Sequence, residues 1–260
     1  MTLQKLPFVI PARMASSRLP GKVLKGLGPR TVLDWVIDNC GRSRYCSSVI
    51  VGTDSSEIRS HCEVRGAPVH VTGEHNCCSN RTAEVARTLE SEWVVEVQSD
   101  EPFLWASHLD HWLDQAVRCM ASPDPVDVFL SYSVIPKGQE DETKFVKIVR
   151  SSSGRILWAS RSKLPSGYKA VPEAYFCHTG LYLWRRDSLI RFSKIEPGLS
   201  ELSEDTHAMR LFEHFFDVSS VFLAPSQSVD VPEDLVAAER YLRKHAQDVA
   251  RETGVALTSS

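Results

Sequence analysis

Short apolar runs alternate with amphipathic ones from residue 6 to residue 120, and this alternation constrains the fold more than any other feature of the sequence. Leu6-Pro-Phe-Val-Ile10, Ser48-Val-Ile-Val-Gly52, Ala67–Val71 and Trp93–Val97 are apolar or β-branched and end at turn residues, the pattern of buried strands. Between them, Val32, Leu33, Val36 and Ile37 recur at helical spacing in 32–40, and Asp54 or Ser55 caps a helix over 56–64. A helix over 79–91 carries Ala83, Ala86 and Leu89 on one side, with Ser79 as a candidate N-cap, and another helix spans 107–120. Strand–helix repetition implies parallel strands, because each helix carries the chain back to the starting edge of the sheet. The expected class is α/β, a mostly parallel central sheet with helices on both faces. Ligands of such sheets sit at the carboxyl ends of the strands, where the strand order reverses.

The second half is less regular. Segments 126–133, 145–150, 155–159 and 175–184 read as strands, several adjacent in sequence, which suggests antiparallel pairing in a β-rich insertion at about 130–215. A helix is expected over 200–216, a strand over 221–224, a terminal helix over 233–252 and a flexible tail over 253–260. With no internal repeat and no low-complexity linker, residues 1–252 read as one domain.

The formal charge of −3 excludes a generally basic surface of the kind that binds nucleic acid, so any positive charge used for binding must be local. The apolar run from Leu6 to Ala12 is short and interrupted by Pro7 and Pro11, so neither a signal peptide nor membrane insertion is expected. Seven cysteines without regular spacing point to reduced, cytoplasmic thiols. Cys77 and Cys78 lie near His75, but no CxxC pair accompanies them, which argues against a zinc site there.

Three strand-end segments carry the chemistry. Pro11-Ala-Arg-Met-Ala-Ser-Ser-Arg-Leu-Pro-Gly-Lys22 brings Arg13, Arg18 and Lys22 together with Ser16, Ser17 and Gly21. A triphosphate needs such cations and close backbone N–H groups, although a basic surface loop with a Pro-Gly turn has the same composition. It is not a Walker A loop, because GxxxxGK[ST] is absent. Gln98-Ser-Asp-Glu-Pro102 places Asp100 where it can hold Mg²⁺ against phosphates or cap a turn. In Ser228-Val-Asp-Val-Pro-Glu-Asp-Leu235 a helix start accounts for Pro232, Glu233 and Asp234 but does not require Asp230. A second carboxylate there, converging with Asp100, would complete a metal site for attack at phosphorus. His75, Lys147, His178 and Tyr182 read as packing residues by default, and no GxSxG supports hydrolase chemistry.

Together these segments resemble the 3-deoxy-manno-octulosonate (KDO) cytidylyltransferases, the CMP-KDO synthetases. The resemblance runs from about Phe8 to Leu242 and is most specific in 10–22, 97–102 and 229–235. Weaker matches are Lys147, Ser160-Arg161, His178-Thr-Gly-Leu-Tyr182, and Glu201 and Glu204 with Arg210. A spore-coat polysaccharide biosynthesis family also resembles 12–24, but accounts less well for the two later motifs. The resemblance implies a Rossmann-like nucleotidyltransferase fold, a cytoplasmic homodimer and a place in lipopolysaccharide biosynthesis. It implies that CTP and a small acidic acceptor such as KDO give a CMP-sugar and pyrophosphate. Pro11, Ala12, Arg13, Ser16, Arg18, Lys22, Ser79 and Arg81 would bind the nucleotide, with Arg13, Lys22, Asp100 and Asp230 as the catalytic set. Asp100 and Asp230 would hold Mg²⁺, and Gln98, Lys147, His178, Tyr182 and Glu204 would bind the acceptor.

The departures from the family pattern fall on the acceptor side. His-x-Ser-Gly-Thr-Glu/Asp-Arg reads His75-Asn-Cys-Cys-Ser-Asn-Arg81, so Cys78 replaces Gly and Asn80 replaces an acid. Ser99 replaces the Gly of Gln-Gly-Asp-Glu-Pro, an Asn-Pro-Asn stretch before Lys147 is missing, and His207 replaces another acid. The amide at position 80 removes a charge and adds N–H donors. This pattern implies retained cytidylyl transfer with an unusual acceptor, another sugar acid or a phosphonate. A weakened homologue that only binds nucleotide is the alternative of a different class.

Overall fold

The computed structural model describes residues 5–16, 18–120 and 125–255. Strand β1 (Leu6–Pro11) is buried along its whole length, as a strand covered on both faces must be. After the basic loop come β2 (Gly26–Leu27) and β3 (Arg30–Thr31), a small antiparallel hairpin, and then α1 (Val32–Arg42). A reciprocal cap starts α1, in which the Thr31 hydroxyl accepts from Asp34 N and the Asp34 carboxylate accepts from Thr31 N. The alternation continues through β4 (Cys46–Thr53), α2 (Ser56–Arg65), β5 (Val69–Val71), α3 (Cys78–Ala86), β6 (Trp93–Val97) and α4 (Ala106–Cys119).

The second half adds β7 (Val128–Val134), β8 (Lys147–Arg150), β9 (Ile156–Ser160) and β10 (Phe176–Arg185), then α5 (Arg186–Phe192), α6 (Leu199–Glu204) and α7 (Met209–Glu213). It ends with β11 (Val218–Phe222), α8 (Pro232–Lys244) and α9 (Ala246–Thr253). The main sheet runs β11-β7-β10-β6-β1-β4-β5, with β8 attached off this path to β10 and β9 to β8. Along it every neighbouring pair is parallel except those made by β10, which is antiparallel to both β6 and β7. The expected α/β class, with its mostly parallel sheet, is the observed one.

From β1 the chain adds β4 and β5 on one side, then returns to place β6 on the other. The loops after β1 and β6 therefore flank the reversal of strand order, where a crevice opens. The segment after β11 reaches this crevice from the far edge: Val229 N donates to Asp100 O at 2.9 Å, and the Val229 side chain is buried in a cluster with Leu19, Trp35 and Phe103. This packing carries Asp230 to Asp100.

Several element boundaries differ from the sequence expectations. The helix expected over 200–216 is two short helices, because Asp205 takes a left-handed conformation (φ +47°) between α6 and α7. The terminal helix is broken at His245, whose φ of −112° is not helical. The strand expected over 221–224 lies at 218–222, in register with β7. Helix α3 stops at Ala86, and Ser79 is not its N-cap: Cys77 holds that position while the Ser79 hydroxyl turns inward. Thr253, expected to begin a flexible tail, is the buried last residue of α9, and 256–260 lie outside the described residues.

Candidate active site

The loop after β1 folds back on itself through Gly21. Gly21 has a φ of +66°, a conformation that side chains resist, and its N–H donates to Met14 O at 3.1 Å. The turn aims Lys22 into the crevice, where its Nζ donates to Asp100 Oδ2 at 2.5 Å and to Asp230 Oδ1 at 2.8 Å. Two carboxylates 130 positions apart in sequence thus meet at one cation. Burial by itself would lower the Lys22 pKa, but Asp100 and Asp230 outweigh it and raise the ammonium above its ordinary value, so Lys22 is charged at neutral pH. Arg18 joins the group through Asp230, at 3.2 Å.

Asp234 explains why Asp230 is available for this contact. Its carboxylate accepts from the backbone N–H groups of Asp230 and Val231, at 2.9 and 3.0 Å, and so caps α8. The Asp230 side chain is left to face the crevice. Asp100 and Asp230 are hard oxygen donors, 21% and 34% exposed, and already converge on a positive group. This donor set fits Mg²⁺, which takes one or two protein carboxylates and keeps water or phosphate oxygens as its other ligands.

The crevice is a cavity of about 1020 Å³. Small-molecule sites commonly span roughly 300–1,000 Å³, so it has room for more than one small ligand. Pro11, Ala12, Arg13, Ser16, Arg18 and Lys22 all line it, as do Arg81, Gln98, Asp100 and Asp230. Arg13 is exposed and forms no salt bridge among the described residues, so its charge is available to a ligand. Arg81 instead spends one guanidinium nitrogen on Asp54, at 2.8 Å, and another on Thr72. His75 lines the cavity while its Nε2 lies 2.5 Å from Glu84 Oε2.

A second wall is built on Glu96, which is fully buried on β6. Its Oε1 accepts from Ser79 Oγ at 3.0 Å and from Gln98 Nε2 at 3.1 Å, and its Oε2 accepts from Trp184 Nε1 at 3.1 Å. Burial pushes the Glu96 carboxyl up to about 7 against the pull of Ser79, Thr82, Cys78 and Trp184. His207 Nε2 lies 3.1 Å from Ser79 Oγ, and since that hydroxyl donates to Glu96, the ring nitrogen is the donor to it. Burial, with His178 and Arg210 adding to it, brings His207 down to about 3, so the ring is neutral. Cys78 completes the wall, with its Sγ 3.3 Å from Gln98 Nε2, and burial raises its thiol well above the ordinary value.

The residues expected to bind the acceptor divide into two groups. Gln98 lines the cavity. Lys147, His178, Tyr182 and Glu204 do not, nor does Ser79 of the expected nucleotide set. Lys147 is buried and donates to the carbonyls of Glu142 and Arg161, at 2.5 and 2.7 Å. Tyr182 stacks on Trp184, with centroids 5.8 Å apart, behind His207. His178 Nε2 lies 3.5 Å from Thr206 Oγ1, and burial lowers its pKa to about 4. Glu204 accepts from Ser160 Oγ at 2.6 Å and Arg161 N at 2.7 Å. These side chains brace the wall from behind rather than form its surface.

The surface they brace includes Thr143 and Lys144, which the sequence does not pick out as site residues, and Arg161, which the family resemblance matched without a role. The Arg161 guanidinium donates only to backbone carbonyls, those of Glu204, Thr143 and Asp205. Its charge therefore has no carboxylate partner among the described residues, and Arg161 lines the cavity. Gly180 is the other residue that function would not single out. It lies in a β10 irregularity held by Ser131, whose Oγ accepts from Leu181 N and donates to Leu181 O, at 3.1 and 2.9 Å. A Cβ at Gly180 would stand 2.5 Å from Gln98 Cγ, so the missing side chain is what lets Gln98 take its place.

A roomy crevice at the strand-order reversal, lined by arginines and Lys22 and holding two convergent carboxylates, marks a nucleotidyltransferase of the α/β class. The family model described as "Cytidylyltransferase" matches residues 8–217, and the chain belongs to that family. Among its relatives, the 3-deoxy-manno-octulosonate cytidylyltransferase of Solibacter usitatus is 31% identical over 92% of this chain and 95% of its own length. That of Koribacter versatilis is 35% identical over 90% and 89%. A solved CMP:2-keto-3-deoxy-manno-octonic acid synthetase complexed with CTP superposes with a TM-score of 0.85 at 26% identity, over 93% of this chain and all of its own. A cytidylyltransferase from Leptospira borgpetersenii shares the fold, with a TM-score of 0.58 at 15% identity. No helix among the described residues is long and apolar enough to cross a membrane.

Proposed function

We propose that this enzyme transfers CMP from CTP to a small acidic acceptor, with KDO as the default acceptor, and releases pyrophosphate. The observation that carries the reading is the meeting of Asp100 and Asp230 at Lys22, in one cavity with Arg13 and Arg161, neither of which forms a salt bridge among the described residues. An oxygen of the acceptor forms the new bond to the α-phosphorus, and the bond to the bridging oxygen of the leaving pyrophosphate breaks. Arg13 and Lys22 offset the charge that builds on the leaving group, and Arg18 steadies Asp230. Asp100 and Asp230 would hold Mg²⁺, whose charge would add to that of Arg13 and Lys22 in neutralising the phosphates. Arg161 and Gln98 orient the acceptor's anionic group, and this chain's residues act by positioning and charge rather than by covalent catalysis.

A second acceptor, another sugar acid or a small phosphonate, is favoured by one observation: Cys78, Ser99 and His207, three of the departures from the family pattern, all line the cavity. We also place the enzyme in the cytoplasm, in keeping with its seven free cysteines, and as a homodimer, in keeping with the family resemblance and the exposed Leu157 and Trp158 of β9. Light scattering on the purified protein tests the dimer.

The deciding experiment measures pyrophosphate release with each of the four nucleoside triphosphates, with Mg²⁺, across a panel of sugar acids and small phosphonates. Release with CTP and one acidic acceptor is expected. CTP giving no release with any of them sinks the transfer reading and leaves nucleotide binding alone.

A further inference from the structure

The Glu96 carboxylate is fully buried, yet its hydrogen bonds come from neutral donors, Ser79, Gln98 and Trp184, and no salt bridge reaches it among the described residues. A buried carboxylate in such surroundings either takes up a proton or gains from a nearby cation. Beside it stand two further metal-binding groups. Cys78 Sγ lies 3.7 Å from His207 Nε2 and 3.9 Å from its Nδ1, and one ligand atom from each of Cys78, Glu96 and His207 falls within 4.8 Å of the other two. We propose that these three residues form a binding site for a borderline-soft divalent cation of the zinc class, separate from the oxygen-donor pair Asp100 and Asp230.

The geometry supports this choice. A tetrahedral ion bound to sulfur at about 2.3 Å and to an imidazole nitrogen at about 2.0 Å sets the two donors roughly 3.5 Å apart. The observed 3.7 Å matches that separation, and binding requires the ring to leave its hydrogen bond to Ser79 and turn a nitrogen lone pair toward the ion, because the sulfur now lies nearly as close to Nδ1, at 3.9 Å. The three ligands come from separate elements: Cys78 begins α3, Glu96 lies on β6, and His207 lies in the α6–α7 connection. They are far apart in sequence, so no CxxC-like spacing announces them. Trp184 and Ser79 bond the carboxylate, and Tyr182 packs beside the imidazole, so the surroundings orient both ligands. Cys78 and His207 line the cavity, so a fourth coordination position would open onto it, as at zinc sites that exchange a ligand. Donor softness keeps the two sites apart: thiolate and imidazole favour Zn²⁺, whereas Mg²⁺ prefers the carboxylates of Asp100 and Asp230.

The test uses the full-length protein, stripped with a chelator, dialysed, and titrated first with Co²⁺ alone and then with Zn²⁺ alone. Wild type is expected to take up Co²⁺ with a thiolate-to-cobalt charge-transfer band that Zn²⁺ then abolishes. Cys78→Ser should lose the band, and His207→Ala should bind roughly tenfold or more weakly. Asp100→Asn should retain both the band and the affinity, which distinguishes this site from the Mg²⁺ pair. Circular dichroism checks the fold of each variant, and if Cys78→Ser is unfolded the wild-type spectrum and His207→Ala decide. Absence of the band in wild type overturns the site, as does an unchanged band and affinity in folded Cys78→Ser or His207→Ala.

Discussion

Replacing Gly180 by Ala probes how tightly the wall around Gln98, proposed to orient the acceptor, is built. The added methyl would sit 2.5 Å from Gln98 Cγ and 3.1 Å from its Cβ, whereas carbon atoms in contact normally stand about 3.5–4.0 Å apart. About 1 Å of displacement is needed. The backbone cannot readily supply it, because β10 is held between β6 and β7 and Gly180 O accepts from Gln98 N at 3.2 Å. The Gln98 side chain must therefore swing away, giving up its contacts to Glu96 at 3.1 Å and Cys78 at 3.3 Å. A misplacement of about 1 Å at a positioning group can cost on the order of a hundredfold in rate, and overpacking costs about 1–3 kcal/mol of stability. In a pyrophosphate-release assay, Gly180→Ala should lower kcat/KM for the acceptor by about a hundredfold and leave the KM for CTP nearly unchanged. Adding Gln98→Ala to Gly180→Ala should recover stability in urea unfolding, because the crowded Cγ is gone. Acceptor kinetics within twofold of wild type would refute the assignment of Gln98 to the acceptor wall.

Three further outcomes follow from the same geometry. Asp100→Asn and Asp230→Asn should each reduce turnover on the order of a hundredfold or more while urea midpoints stay close to wild type; full activity in either removes that residue from the metal pair. Glu201→Gln leaves the buried Arg210 guanidinium without the carboxylate that now meets it at 2.5 and 2.7 Å, so urea unfolding should show a loss of about 3–5 kcal/mol, and a loss under about 1 kcal/mol would contradict that pairing. His178 has its folded pKa near 4, below the ordinary 6.5, so the unfolded chain takes up its proton first as pH falls. The contribution is therefore complete above pH 6.5 and is lost between about 6.5 and 4, by at most about 3 kcal/mol. His178→Gln should make stability against pH shallower in that window, with His207, lower still at about 3, keeping part of the slope; an unchanged slope would show that His178 titrates normally.

The alternating half of the chain was legible because local rules govern it. The apolar runs at 6–10, 48–52 and 93–97 became β1, β4 and β6, and the reversal of strand order placed the loops after β1 and β6 at the crevice. Breaks in helices were less legible. Nothing in the apolar pattern of 200–216 marks the left-handed Asp205, which the carbonyl contact to Arg161 Nη2 accompanies. Lys147 and Glu204 illustrate the limit for site residues: a lysine and a glutamate can either face a ligand or satisfy a buried backbone, and here neighbouring carbonyls and N–H groups engage them.

By itself the sequence determined the α/β class, the basic loop ending at Lys22 and the two carboxylate motifs, because each depends on residues within one short segment. Tertiary structure decided what those segments do together. The backbone hydrogen bond from Val229 to Asp100 and the packing of Val229 beside Leu19 and Phe103 bring Asp230 to Lys22, and the crossing of α3, β6 and the α6–α7 connection gathers Cys78, Glu96 and His207. The physical reason is common to both. Local hydrogen bonding and side-chain periodicity act over a few residues, whereas the meeting of distant polar groups is set by how buried apolar faces pack.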